Sequence, residues 1–282
     1  MNIPCRLHDL TPASNPHGSN LSTKSRGNLT PKQKASINLA VPEYEKLLKF
    51  SHSYIHDNCT LNELVKSFND YYQLASRKDV NTFSHQSDFL SSILPELVCV
   101  ILSKATRAAF GATHLIVTGQ KDILIDCTFD ISGGGRLVEK RKRMDVGVLA
   151  PVEFKFDGVD IDFSVPAVCI EVKTNIDKNM ISGIEASAST LKGTFPKCLY
   201  FAIGEFSDFD ISSQNYAATS IDEILIIRNQ KRSEVRRNPS SRNVLNTSLL
   251  EDFQNTVVAH LNKTIPETSS LANRLKIGRL IN

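Results

Sequence analysis

The sequence predicts an α/β domain, with helices before and after a central mixed β-sheet. Three observations carry that expectation. Between residues 42 and 111 apolar side chains recur at helical spacing. From residue 113 to 229 the chain breaks into short segments rich in β-branched and aromatic residues, separated by Gly, Pro and Asp. Within that part lies a strand–helix–strand passage, the order that a right-handed crossover to a parallel neighbour needs.

Taken in order, residues 1–40 are rich in Ser, Asn, Pro, Gly and Thr without sustained periodicity, which predicts an extended polar arm. A helix is expected over "PEYEKLLKFSHSYI", starting at Pro42. A second covers "TLNELVKSFNDYYQLAS", where Thr60 and Glu63 stand in capping-box register and Leu61, Leu64, Val65, Phe68 and Tyr72 share a face. A third covers "SDFLSSILPELVCVILSKATRAAFG", restarting or kinking at Pro95 and ending at Gly111. The strands expected next are "THLIVTG", "DILIDCTFDI", "RMDVGVLA", "AVCIEVKT", "CLYFAIG" and "EILIIRN". Between the fourth and fifth, Met180, Ile184, Ala188 and Leu191 form a helical stripe stopped by Gly193. A last helix, "SLLEDFQNTVVAHLNK", has Ser248 and Glu251 in capping-box register. The domain reading is therefore an arm over 1–40, a core with its leading helices over 41–230, and a basic segment with a terminal helix over 231–282.

Composition fits a folded, water-soluble protein: 282 residues, 41% hydrophobic and 22% charged. The beginning of the chain does not read as a secretory signal, and no apolar run approaches the roughly 20 residues of a membrane span. The six cysteines are scattered without a CxxC pair, so a reduced, cytoplasmic protein with neither disulfide framework nor zinc ribbon is expected. Net charge is only +3, but its distribution is uneven. "RLVEKRKR" (136–143) and "RNQKRSEVRR" (228–237) each carry five bases to one acid, and "TKSRGNLTPKQK" carries four bases and no acid. Such runs are ordinarily solvated surface; three in one near-neutral chain favour a polyanionic partner.

The stretch "VPAVCIEVKTNIDKNM" asks why an apolar strand runs straight into charge. Alternation puts Val168, Ile170 and Val172 on one face and Glu171 with Lys173 on the other, roughly 6.5–7 Å apart. Such a pair also fits the solvated end of an edge strand. Three neighbours favour more. Asp145 sits between apolar residues of an upstream strand, a helix begins near Asn175, and Glu96 follows Pro95 on an otherwise apolar helix. Two carboxylates converging from adjacent strands suit a hard cation such as Mg²⁺, and a lysine beside them can orient water or stabilise phosphate charge.

Asp145 followed by Glu171-Val172-Lys173, with Glu96 on a preceding helix, resembles the signature of PD-(D/E)XK nucleases over roughly residues 87–229. Met144 stands where the signature has proline. "EVKTNIDKNM" is similar to the motif region of BbvCI-type heterodimeric type II restriction enzymes. The resemblance implies a restriction-endonuclease-like fold and a Mg²⁺-dependent endonuclease that cuts double-stranded DNA at a short specific site and leaves 5′-phosphates. It implies Asp145 and Glu171 as metal ligands, joined by the Val172 carbonyl, Lys173 as catalytic base, and Glu96 as an accessory acid reaching metal through water. It also implies a second, related subunit, a homodimer being the alternative. A structure-directed or repair nuclease of the same fold and a non-cleaving DNA-binding partner subunit remain competing readings.

Asp160, Asp162 and Asp126 are rival acids to Asp145; the first two lie in "FDGVDIDFS", which reads as a hairpin or polar connection. Lys178 begins the crossover helix, where an exposed Asp-Lys pair is ordinary. His52 and His56 have the spacing of a metal pair but lack the glutamate of H-E-x-x-H, and read as surface histidines. "SGGGR" reads as a hairpin tip. The DNA contacts expected from charge are Arg136, Lys140, Arg141, Lys142, Arg143, Arg236 and Arg237. Which bases would be read does not follow from residue types.

Overall fold

The computed structural model describes residues 10–83, 89–109, 114–130, 136–156, 158–208, 219–238, 241–264 and residue 276. Four helices come first: α1 (Pro16–Arg26), α2 (Pro31–Ile55), α3 (Leu61–Ser76) and α4 (Ile93–Ala108). Strands β1 (Ile116–Asp130), β2 (Arg136–Phe156) and β3 (Val159–Ile176) follow. The chain continues through α5 (Lys178–Thr194), β4 (Leu199–Ser207), β5 (Glu223–Ile226), α6 (Arg232–Arg237) and α7 (Thr247–Thr264).

The sheet order is β1-β2-β3-β4-β5. Its first three strands pair antiparallel and its last three parallel. The sheet is therefore mixed, and α5 is the expected crossover between the parallel neighbours β3 and β4. Gly158, with φ of 77°, turns the hairpin between β2 and β3.

Two apolar cores lie on opposite faces. On one, α2, α3, α4 and α7 cover Val146, Val148, Val168, Ile170, Val172, Phe201 and Ile203. On the other, Ile181, Ile184, Ala188 and Leu191 of α5 cover Ile123, Leu149, Cys169, Tyr200 and Ala202. The alternation expected for Val168, Ile170 and Val172 is the one observed. Leu64, Val65, Phe68, Tyr71 and Tyr72 of α3 are buried on the face that the sequence predicts. Thr60 and Glu63 close the predicted capping box.

The N-terminal residues depart from expectation. Residues 16–40 form α1 and much of α2 rather than an extended arm, while residues 1–9 lie outside the described set. The segment is polar in composition, yet Leu21, Ile37 and Ala40 are buried, and so are His17, Ser22 and Ser36. Tertiary hydrogen bonds stabilise what periodicity could not show. The second helix starts at Pro31, not Pro42: Thr30 and Gln33 form a capping box around it. Pro95 lies in the first turn of α4, where its missing N–H costs no helical bond, so no break occurs. At α7 the Asn246 side chain accepts from Leu249 N (3.2 Å) and holds Ser248, replacing the Ser248–Glu251 box.

Cys59, Cys99, Cys127, Cys169 and Cys198 are free thiols. Among the described residues no helix is long and apolar enough to cross a membrane. The "GGG" of the expected hairpin tip lies outside the described residues. The strands flanking it pair in register up to Asp130 and Arg136.

Candidate active site

The backbone around Asp145 leaves a gap in the sheet. The β2–β3 ladder runs as far as Val146 opposite Ile170 and ends there. The β1–β2 ladder passes from Gly119–Val146 to Lys121–Met144 and skips Asp145, with Gln120 at φ of 48°. The Asp145 carboxylate takes the place of the missing ladder partner: its Oδ2 accepts from Val172 N at 2.9 Å. In a strand pair a residue's N–H and C=O point to the same side. The Val172 carbonyl therefore also faces the gap.

Glu171 and Lys173 meet Asp145 at this opening. Lys173 Nζ lies 3.0 Å from Glu171 Oε1 and 3.4 Å from Asp145 Oδ2. The three side chains are 32% (Asp145), 23% (Glu171) and 34% (Lys173) exposed, open enough for a substrate yet partly desolvated. Burial pulls the Lys173 ammonium pKa down, but the charges of Asp145 and Glu171 outweigh it and hold it above the usual lysine value. The ammonium stands between two carboxylates, where a metal cation would also stand. Carboxylate oxygens and a strand carbonyl suit Mg²⁺, which keeps several waters. Among the described residues no group of three or more His, Cys, Asp or Glu gathers as a protein-only metal cage. Further ligands would have to come from water and phosphate.

The rival acids lie elsewhere. Asp160 pairs with Lys155 at 3.3 Å and Asp162 with Lys121, both across the outer part of the sheet. Asp126 is exposed on β1. Lys178 begins α5, whose N-cap is Asp177. The rings of His52 and His56 lie 4.4 Å apart on partly exposed positions of α2 and its C-cap.

Glu96 does not join this set. It is 1% exposed, and its Oε2 accepts from His17 N (2.8 Å) and Gly18 N (3.0 Å) while Oε1 accepts from the Tyr44 hydroxyl (2.5 Å). Asn15, the residue capping α1 by position, makes no side-chain cap bond, so a carboxylate from α4 caps α1 instead. Burial raises the Glu96 pKa to about 7 against the pull of these donors. Among the described residues no contact links Glu96 to Asp145, Glu171 or Lys173. The accessory role expected from sequence gives way, in this geometry, to a capping one.

The basic candidates divide by surroundings. Arg143 makes a two-pronged bond to Asp122 (3.0 and 3.1 Å), and Arg141 pairs with Glu139 at 2.7 Å. Lys140 is exposed and Lys142 partly so, and Arg136 opens β2. Arg236 and Arg237 are exposed on α6. Arg228, from the same basic run, is instead 3% exposed and bonds Glu205 at 2.7 Å. Arg242 stacks on Tyr72, 4.6 Å from its ring centroid. These two arginines anchor the fold.

One residue at the site escapes the sequence reading. Tyr200 of β4 is 5% exposed and its hydroxyl donates to Glu171 Oε2 at 3.0 Å. Its pKa is raised, by burial first and by Glu171 second, so the hydroxyl stays a donor. Only the β3–β4 register, which pairs Cys169 with Tyr200, brings it near.

Residues 150–248 match the family model of the Bpu10I restriction endonuclease, a span that includes Glu171, Lys173 and Tyr200 but not Asp145. Among solved structures the chain is similar to a chain described as native BbvCI A2B2 tetramer at low resolution. The two are 28% identical with a TM-score of 0.67, over 89% of this chain and 96% of that one. No curated protein matches. The fold is of the restriction-endonuclease class. Both matches support a type II restriction endonuclease subunit.

Proposed function

We propose that this subunit hydrolyses one strand of a short double-stranded DNA sequence in a Mg²⁺-dependent reaction that leaves a 5′-phosphate. The observation behind the reading is Lys173 within 3.0–3.4 Å of two carboxylates at the gap between β2 and β3. Asp145, Glu171 and the Val172 carbonyl are the groups that would hold the ion, which supplies Lewis-acid charge at the scissile phosphate and makes water more acidic. Lys173 orients the attacking water and balances charge developing on the phosphate. To act as base Lys173 must first lose its own proton, which is easier once a cation takes its place between the two carboxylates. Water gives up a proton as its oxygen bonds to phosphorus, the bond to the 3′ oxygen breaks, and that oxygen takes a proton from solvent and leaves as a hydroxyl. Arg136, Lys140, Lys142, Arg236 and Arg237 meet the phosphate backbone, with Arg141 and Arg143 partly neutralised by their acids.

One such site serves one strand, so a double-strand break needs two. The neighbour is described as an A2B2 assembly. By analogy this chain acts with a second, related subunit on a site without two-fold symmetry. The test is digestion of plasmid DNA by this chain with and without that subunit, in Mg²⁺, followed by run-off sequencing of the ends. Discrete fragments with 5′-phosphates, seen only with both subunits, are expected. Clean double-strand cutting at a palindrome by this chain alone would replace the heteromeric reading with a homodimer. Cleavage confined to branches or flaps would replace restriction with repair.

A further inference from the structure

Glu171 is held at both oxygens: Lys173 engages Oε1 at 3.0 Å and the Tyr200 hydroxyl engages Oε2 at 3.0 Å. The two holds differ in kind. Lys173 is a long, flexible side chain shared with Asp145. Tyr200 is fixed at both ends. Its backbone N–H donates to Asp222 Oδ2 at 2.6 Å, and Asp222 is itself paired with Lys192 at 2.5 Å. Its ring is packed in the core beneath α5, among Cys169, Ile184 and Ala188. The hydroxyl of this packed ring donates to Glu171.

We propose that Tyr200 is a positioning residue that fixes the plane of the Glu171 carboxylate for cation binding, an inference that rests on the metal-dependent reading above. When Lys173 turns to serve water or phosphate, Glu171 loses one of its two holds. Tyr200 keeps the other, so the carboxylate stays aimed at the gap. Without the hydroxyl, Glu171 is free to rotate, and its free oxygen turns toward the Lys173 ammonium. Cation affinity falls, while the chemistry at saturating metal is little altered. Partners of metal-binding side chains commonly contribute about 10–100-fold in affinity or activity.

The test is Tyr200→Phe, which keeps the ring and its packing. Mn²⁺ binding to the DNA-free chain is measured by calorimetry, beside the Mg²⁺ dependence of plasmid cleavage by the complete enzyme and the thermal midpoint. The expected result is Mn²⁺ affinity weaker by about 10-fold or more, with the half-saturating Mg²⁺ concentration raised by a similar factor. Cleavage should return to within a few-fold of wild type at high Mg²⁺. Unchanged Mn²⁺ affinity and Mg²⁺ dependence, with or without a lower thermal midpoint, would make Tyr200 a packing residue and overturn the proposal alone. If wild-type cleavage needs no divalent cation, or if Glu171→Ala binds Mn²⁺ as well as wild type does, the metal reading fails and this proposal falls with it.

Discussion

Asp145 and Glu171 at the sheet gap keep 32% and 23% of their side-chain surface open, and the Lys173 ammonium balances them. Glu96 is 1% exposed and is held by two backbone N–H groups and a phenol. All three are acids beside apolar neighbours in sequence. A carboxylate that must receive a cation keeps lone pairs available and a displaceable partner. A carboxylate that must hold a helix end is closed off and saturated with fixed donors. The first arrangement costs stability for access; the second gives up access for cohesion.

That contrast is testable by exchanging what each cluster should lose. Glu171→Ala or Lys173→Ala in the complete enzyme should lower cleavage by ~10²–10³-fold or more, while thermal stability and DNA binding in Ca²⁺ stay near wild type. Combined with an intact second subunit, Lys173→Ala should nick one defined strand. Near-normal cutting by either variant would remove this cluster from the chemistry.

Glu96→Ala should have the reverse profile. It leaves two buried N–H groups and the Tyr44 hydroxyl without their acceptor, at about 1–3 kcal/mol each, so urea denaturation should show a loss of several kcal/mol. Cleavage per folded molecule should hold. A variant that stays stable but stops cutting would return Glu96 to the accessory role expected from its sequence.

The same cluster has a pH signature. The Glu96 pKa is raised from its ordinary 4.5 to about 7, so its contribution is complete below 4.5 and is lost as pH rises through 7. His17, whose ring nitrogens meet Ser92 (2.9 Å) and Tyr71 (2.6 Å), is lowered from 6.5 to about 3, by burial first and Lys24 second. Its contribution is present above 6.5 and is lost as pH falls through 3. Between pH 4.5 and 6.5 the two oppose each other. In Glu96→Gln the His17 contribution stands alone, and stability should rise with pH across that interval. An unchanged pH profile in thermal melts would show that Glu96 is not the group responsible.

The smallest effect belongs to the surface. Neutralising Arg236 and Arg237 should reduce the log-log salt dependence of DNA binding by about 0.9 per lost phosphate contact, with no change in thermal stability. An unaltered slope would leave α6 as ordinary solvated surface.

The parts of this picture legible in sequence are those that local pattern governs. Period-two alternation separates Glu171 and Lys173 from Val168, Ile170 and Val172, and that separation is present in the fold. The change from helical to strand texture locates the sheet, and one helix between two strands locates its parallel part. Long-range partners decide the rest. Nothing near Glu96 in the chain announces that Gly18 and Tyr44 will surround it. Residues 16–26 read as an arm because the groups that bury His17 and Leu21 come from other elements. Tyr200 looks like any aromatic in an apolar strand until the β3–β4 register sets it beside Glu171. The basic run from Arg228 divides for the same reason, since only Glu205 and Tyr72 distinguish its buried member from the exposed Arg236 and Arg237.

The segment before α1 crosses to β1, the strand that pairs with the Asp145 strand. Gly119 N donates to the Ala13 carbonyl at 2.7 Å, and a Cβ on Gly119 would sit 2.7 Å from the Pro12 carbonyl oxygen, so only glycine admits the approach. These residues are made well before the partners they find. Glu96, which caps α1, follows His17 by 79 residues, and Gly119 comes later still. At ~5–20 residues per second the wait for Glu96 alone lasts on the order of 4–16 s. The nascent helix meanwhile has no acceptor for its first N–H groups and no core for Leu21. Closure of the N-terminal segment against β1 thus waits for residues made well after it, and this border of the gap beside Asp145 is set only once β1 exists.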